Sequence, residues 1–334
     1  MASHAHVATP RAMTPLAWAA LVVVYIVWGS TYLAIGIGIE TIPPMLSGSM
    51  RFLLAALLLA SFLAIRHGPG VLRVSPRRLG SAVLVGVLLL TGGNGMVAVA
   101  EQHISTGLAA LLVASMPLWL VIFGTGVGDR PPRATLVGVI TGFAGVALLS
   151  VLPGDGGASG SVLGVAVILF ATFSWALGSF LAGRLPMPAN SFTTSVYEMA
   201  AGGLALLAVG FGRGETLDVG QISGRSWFAL AYLVVFGSLL AFTSYAWLLG
   251  NAPMSIVGTY AYVNPVVAVL LGALILNEKV TWETLLGGLI IVFGVGIVVT
   301  TESRRRHAVP EPVPEPVPKE DDARPAEDVA LESP

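Results

Sequence analysis

The chain has 334 residues and no cysteine. That absence excludes disulfides, thiolate metal sites, iron–sulfur clusters and cysteine nucleophiles. Charge is also scarce: Asp, Glu, Lys and Arg make up 10% of the residues, against about 25% in an average soluble domain. Hydrophobic residues make up 55%, more apolar surface than a water-soluble fold hides, and the few charges are bunched between long apolar runs. No GxxxxGK[ST] loop is present, so ATP is not the direct energy source. Nucleic-acid binding has no support in the sequence, and neither cofactor nor metal is expected.

What is there is a repeated pattern of apolar runs about 20 residues long, the length that crosses about 30 Å of hydrocarbon. Ten can be laid down, near residues 16–37, 44–65, 79–100, 104–126, 133–152, 161–182, 190–211, 226–248, 254–276 and 281–300. The expected fold is an all-α polytopic membrane protein in the lipid bilayer, as monomer or homodimer. Connections carry turn chemistry, such as Ile42-Pro43-Pro44, Pro131-Pro132, Pro186-Met187-Pro188 and Gly250-Asn251-Ala252-Pro253, and helices joined so tightly must be neighbours. The first run has no cleavage-site pattern and reads as a retained span behind a polar segment, residues 1–15.

Ten spans put both termini on one side. With that side cytoplasmic, its loops hold eleven basic residues, among them Arg66, Arg73, Arg77, Arg130, Arg184 and Arg304, against Arg213, Arg225 and Lys279 opposite. The positive-inside rule therefore predicts cytoplasmic termini. From Glu302 the sequence turns basic and then Pro-rich and acidic, so residues 302–334 are expected to be a disordered cytoplasmic tail.

The two halves, residues 16–152 and 161–301, resemble one another. Ala109 to Pro117, then Gly128-Asp129-Arg130 and Thr135 to Leu149, parallel Val257 to Pro265, Asn277-Glu278-Lys279 and Thr284 to Val298. Trp28-Gly29-Ser30-Thr31-Tyr32 is echoed by Trp175 to Ser179 with one residue inserted. Five spans per repeat is odd, so the second copy enters the membrane from the other face. Inverted repeats of this kind form two alternative closures about a central site, as alternating access requires.

With Arg51-Phe52, Asn94, Ser115-Met116-Pro117-Leu118-Trp119, Asn264-Pro265 and the Gly287 to Gly296 run added to the Trp28-Gly29 opening, the chain resembles the drug/metabolite transporter superfamily, in its ten-helix group with two EamA domains. The resemblance covers Leu16 to Thr301; where the family usually has Glu-Arg after the fourth span, Asp129-Arg130 stands here. It implies export or exchange of a small solute across a bacterial inner membrane, without naming the solute.

Several residues are candidates for the work. Pro117 and Pro265 remove backbone donors in the fourth and ninth spans and free carbonyls at Val113 and Ala261, so these helices are expected to kink and line the pathway; packing alone is the other reading. Arg51 and Glu198, at equivalent places in the second and seventh spans, are the two charged residues deep in the apolar runs. Inversion separates them, so Arg51 is expected to meet a solute carboxylate and Glu198 to titrate or bind a cationic group; a structural role stands beside this. Trp28, Tyr32, Trp119, Trp175 and Tyr260 supply aromatic surface for a solute or for packing. Asn94 and Asn264 fit solute contact and interhelical bonding equally. Gly138 with Gly142, and Gly124 with Gly128, have the spacing of close helix approach. Glu101 and His103 read as a solvated loop pair.

The leading reading is a secondary transporter of small metabolites, amino acids first, and not an enzyme. Multidrug efflux is the second. A membrane enzyme of lipid-like substrates would need Asp or His clusters that the loops lack, and a non-transporting receptor is the remaining class.

Overall fold

A computed structural model describes residues 13–151, 161–241 and 259–308, with residues 244, 245, 247, 248, 252 and 256 between them. Among these lie ten helices: α1 (Pro15–Gly38), α2 (Pro44–His67), α3 (Pro76–Ala100), α4 (Thr106–Gly126), α5 (Arg133–Val151), α6 (Val162–Ala182), α7 (Ser191–Gly212), α8 (Gly224–Leu240), α9 (Tyr260–Ile275) and α10 (Trp282–Ala308). Seven are long and apolar enough to cross a bilayer, and the apolar stretches of α5, α8 and α9 are shorter within the described residues.

The helix starts follow local chemistry. Proline opens α1, α2 and α3, where the first turn needs no backbone donor. Thr14, Ser105, Asn190 and Ser223 accept from the first free N–H groups of α1, α4, α7 and α8. After α4 and α9 the chain turns through left-handed backbone at Gly128 (φ 94°) and Asn277 (φ 54°). These are equivalent places in the two repeats, and glycine and asparagine are the residues that tolerate that conformation. Gly128 is therefore a cap: nothing lies within 4 Å of where its Cβ would be, so it makes no close helix approach with Gly124.

Two helix pairs display the inversion directly. Along α2 and α7 the contacts run antiparallel: Gly48 meets Leu206, Gly203 meets Leu53, and Gly210 meets Met45. Along α5 and α10, Gly138 lies against Val298 and Gly287 against Leu149, while Gly145 lies against Ile291 and Gly294 against Gly142. Each member of these α5–α10 contact pairs becomes the other when the repeats are exchanged. The rest of the packing obeys the same rule. α1 packs on α8 and α9, and α6 packs on α3 and α4. The fold is thus ten membrane-crossing helices in two inverted five-helix repeats.

Three apolar cores lie between the helices, around Leu112, Leu118 and Ile291, around Met45, Phe52 and Leu206, and around Leu21 and Leu248. The outward faces are equally apolar. On α10, Ile291 and Val295 are fully buried while Leu289 and Phe293 are 68% and 66% exposed, the arrangement of a lipid-facing helix.

One helix end departs from expectation. α10 does not stop at Glu302 but runs through Arg304 to Ala308. Thr135 donates to Glu302 Oε1 at 2.9 Å, and basic residues in a last turn suit the negative end of the helix dipole. Residues 309–334 and 1–12, and most of Gly250 to Pro253, lie outside the described residues.

Candidate functional site

α3 and α8, the third helix of each repeat, are not regular. Both widen into π turns, over Val87–Gly95 and Leu233–Leu240, a rare form that concentrates at functional positions. In α3 the local sequence is Thr91-Gly92-Gly93-Asn94-Gly95, and its glycines admit close neighbours. A Cβ on Gly93 would stand 2.8 Å from the Trp175 ring, and one on Gly92 would stand 2.1 Å from Ser174 Oγ. Ser174 donates to the Leu88 carbonyl at 2.8 Å, and Thr91 donates to the Gly202 carbonyl at 3.0 Å. In α8 the matching glycine is Gly237, whose carbonyl accepts from Trp28 Nε1 at 3.3 Å. Each repeat thus sets its opening tryptophan on a glycine in the other repeat's π segment.

Arg51 joins the two segments. It lies seven residues into α2, about 10 Å from the helix start at 1.5 Å per residue, and is 6% exposed. Its Nε donates to Ser238 Oγ of α8 at 3.0 Å and its Nη1 to Asn94 Oδ1 of α3 at 3.3 Å. The guanidinium carbon lies 4.8 Å from the Phe52 ring centroid, within cation–π range. A guanidinium has five N–H donors, so the two bonds leave three without an acceptor among the described residues. No carboxylate there forms an ion pair with it.

Aromatic side chains gather beside it. Trp28 of α1, Tyr245 and Tyr260 of α9 form a triad, with centroids 5.0 Å apart for Trp28–Tyr245, 5.3 Å for Trp28–Tyr260 and 5.7 Å for Tyr245–Tyr260. Gly237 ties the triad to Arg51, since a Cβ there would lie 3.2 Å from Arg51 Nη2. Asn264, with its amide nitrogen toward α1, donates to the carbonyls of Tyr25 and Tyr260 at 3.2 and 3.1 Å. Just along α1, Gly29 admits Val267 and the Asn264 carbonyl, which pins α1 against α9.

The remaining candidates lie elsewhere. Glu198 is seven residues into α7, at the opposite depth from Arg51 as inversion requires, with its backbone against Gly86 and no hydrogen-bond or ion-pair partner among the described residues. Trp119 of α4 sits edge-on to Phe143 and Phe173, and its buried Nε1 has no acceptor among the described residues. Tyr32 packs against the largest core. Pro117 stands in the first turn after a break at Ala114–Ser115 that splits α4 in two, whereas Pro265 lies inside a continuous α9. The two prolines therefore stand differently in their helices, Pro117 in a first turn and Pro265 five residues past the start of α9.

The solvated pair at residues 101 and 103 is a correction. His103 is exposed, but both carboxyl oxygens of Glu101 are buried and without a partner among the described residues. Sequence reasoning also passed over Ser238, an ordinary residue in an apolar run that only the folded contact pattern places beside Arg51.

Comparison with known proteins agrees with this architecture. A family model, the EamA-like transporter family, matches residues 15–151 and again residues 162–300. The uncharacterized inner membrane transporter YedA of Escherichia coli (strain K12) is 40% identical over 294 residues, covering 86% of this chain and 92% of that protein. The uncharacterized transporter YvbV of Bacillus subtilis (strain 168) is 27% identical over 301 residues, covering 90% and 95%. A solved crystal structure superposes with a TM-score of 0.60 at 20% identity, over 89% of this chain and the whole of the other, which speaks for the fold. Two inverted repeats, each matched by the same family model, make this chain a membrane transporter that belongs to the EamA-like transporter family.

Proposed function

We propose that the chain is a secondary carrier of small carboxylate-bearing metabolites, amino acids first, working by alternating access in a bacterial inner membrane with both termini cytoplasmic. The observation that carries this reading is Arg51: a buried cation held, among the described residues, only by neutral Asn94 and Ser238, with spare donors, where the two repeats meet. A charge inside a membrane costs several kcal/mol unless paired or hydrated, and a planar guanidinium fork matches a carboxylate. The Trp28, Tyr245 and Tyr260 rings give an apolar or aromatic solute body a wall to lie on. Glu198, at the other depth, takes the ammonium or a proton once the opposite closure forms. Pro117 and Pro265 sit in the helices next to both closures and serve as their gating points.

The test is uptake of labelled amino acids into proteoliposomes, beside analogues lacking the carboxylate or the amine. Removing a charge-assisted hydrogen bond costs about 1.5–3 kcal/mol, so Arg51→Ala weakens the apparent affinity by roughly 10- to 100-fold. Arg51→Lys recovers part of that, and analogues without a carboxylate do not respond to either change. Wild-type transport by well-expressed Arg51→Ala and Glu198→Gln proteins refutes the assignment.

A further inference from the structure

The end of the bundle away from the termini is closed by an arrangement that the Arg51 region does not use. Glu278, just past α9, accepts from the Thr106 and Gly107 N–H groups at 2.8 and 3.2 Å, so a carboxylate of the second repeat caps the start of α4 in the first. Glu101 lies against this cap at the end of α3. Its Oε2 is 3.6 Å from where a Gly36 Cβ would stand, and the Thr106 methyl and Leu276 border the same point. Four helices, α1, α3, α4 and α9, thus converge on one carboxyl group. Among the described residues neither of its oxygens touches solvent or receives a hydrogen bond, and Thr106 Oγ1, on the Gly272 side of the cap, is likewise unpartnered.

A sealed carboxylate with no donor is among the most unfavourable groups a fold can hold. The Thr106 and Gly107 N–H groups at the start of α4 are already taken by Glu278, whose charge adds repulsion. Among the described residues, the titratable groups facing Glu101 are Tyr32 on α1 and Glu278; α4 offers Thr106 only, and His103 on the same turn is exposed. No cation faces it. Removal from water, and secondly the Glu278 charge, hold the Glu101 carboxyl well above the usual carboxylate range.

We propose that Glu101 is a proton-binding latch, neutral while this face is closed and ionised when it opens, so that each opening releases one proton to solvent and each closure takes one up. On the carrier reading above, the latch couples solute movement to a proton gradient. The sign is fixed. The closed form binds the proton more tightly, so within the window between the ordinary carboxylate pKa and the raised one, each unit of rising pH shifts the balance up to tenfold toward the open form.

A chain without native cysteine allows a clean measurement. Ile35, 5% exposed on α1 next to Gly36, is replaced by cysteine in the full-length protein in nanodiscs. Its labelling by an impermeant maleimide is normalised to that of a Gln221→Cys protein, whose site is exposed. Normalised labelling rises by about tenfold between about pH 6 and about pH 9. In the Glu101→Gln background it stays low throughout, Glu101→Asp restores the rise, and Glu278→Gln moves it to lower pH. A rise that persists unchanged in Glu101→Gln, or no rise in the parent, overturns the latch. Labelling needs no solute, so a protein that passes this test and moves no amino acid defeats the carrier reading and leaves the latch standing.

Discussion

Gly294 lies at a close backbone-to-backbone crossing of two helices from opposite repeats, and replacing it with alanine tests the packing as directly as one methyl group allows. A Cβ at this position would lie 2.4 Å from Gly142 N, 2.7 Å from Gly142 Cα and 2.7 Å from the Gly138 carbonyl oxygen. All three are backbone atoms, which have no rotamer to turn away into, so α5 and α10 must separate along their crossing. Overpacking costs typically 1–3 kcal/mol, and a contact without side-chain relief belongs at the upper end, about 3 kcal/mol, or more than 100-fold in the unfolding equilibrium. Gly296, one turn edge away, has nothing within 4 Å of its missing Cβ. Gly296→Ala therefore changes stability by about 1 kcal/mol or less, in the favourable direction that helix propensity gives. Gly145→Ala repeats the clash in the other repeat, against Ile291 N at 2.8 Å and the Gly287 carbonyl at 2.9 Å. Unfolding in mixed micelles of increasing dodecyl sulfate content, followed by tryptophan fluorescence, gives the three values. If Gly294→Ala unfolds with the wild-type protein, or Gly296→Ala loses as much, the closely packed crossing is wrong.

Two further expectations follow from named contacts. Glu215 Oε2 accepts from the Met45 and Leu46 N–H groups, both at 3.1 Å, at the start of α2; Glu215→Ala removes a helix cap worth about 1 kcal/mol, visible in the same unfolding assay, and leaves solute affinity unchanged. Ser238→Ala frees the Arg51 Nε from its 3.0 Å partner, so the guanidinium loses its alignment while keeping its charge; the transport KM rises by about tenfold with Vmax retained, and an unchanged KM removes Ser238 from the positioning of Arg51.

The spans were legible because hydrocarbon imposes a length and a composition that water does not. The starts at Pro44 and Arg133 follow directly from Pro43-Pro44 and Pro131-Pro132. The inversion was legible from arithmetic, an odd number of spans in each repeat, and the Gly138 and Gly287 contacts carry it into three dimensions. Other features left no trace in a single sequence. The π turns of α3 and α8 lie against Ser174, Trp175 and Trp28, all remote in sequence, and Val87 to Leu90 looks like any apolar helix. Glu101 misled because a glutamate at the end of a span is ordinarily wet; its burial depends on Gly36 and Leu276, both remote in sequence. Glycine spacing was ambiguous for a similar reason. Gly138 and Gly142 face another backbone, whereas Gly128 serves a turn, and the sequence spacing is the same.

The two widened helices have a mechanical consequence. A π turn holds one residue more than the α turn it replaces, so it is a reserve of chain already threaded into the bundle. Rewinding one such turn would rotate everything beyond it by about 100°, carrying Asn94 or Ser238 off the guanidinium without breaking a covalent constraint or lengthening a loop. Because one side chain grips both reserves, slack taken up in one repeat is felt at once in its mirror partner.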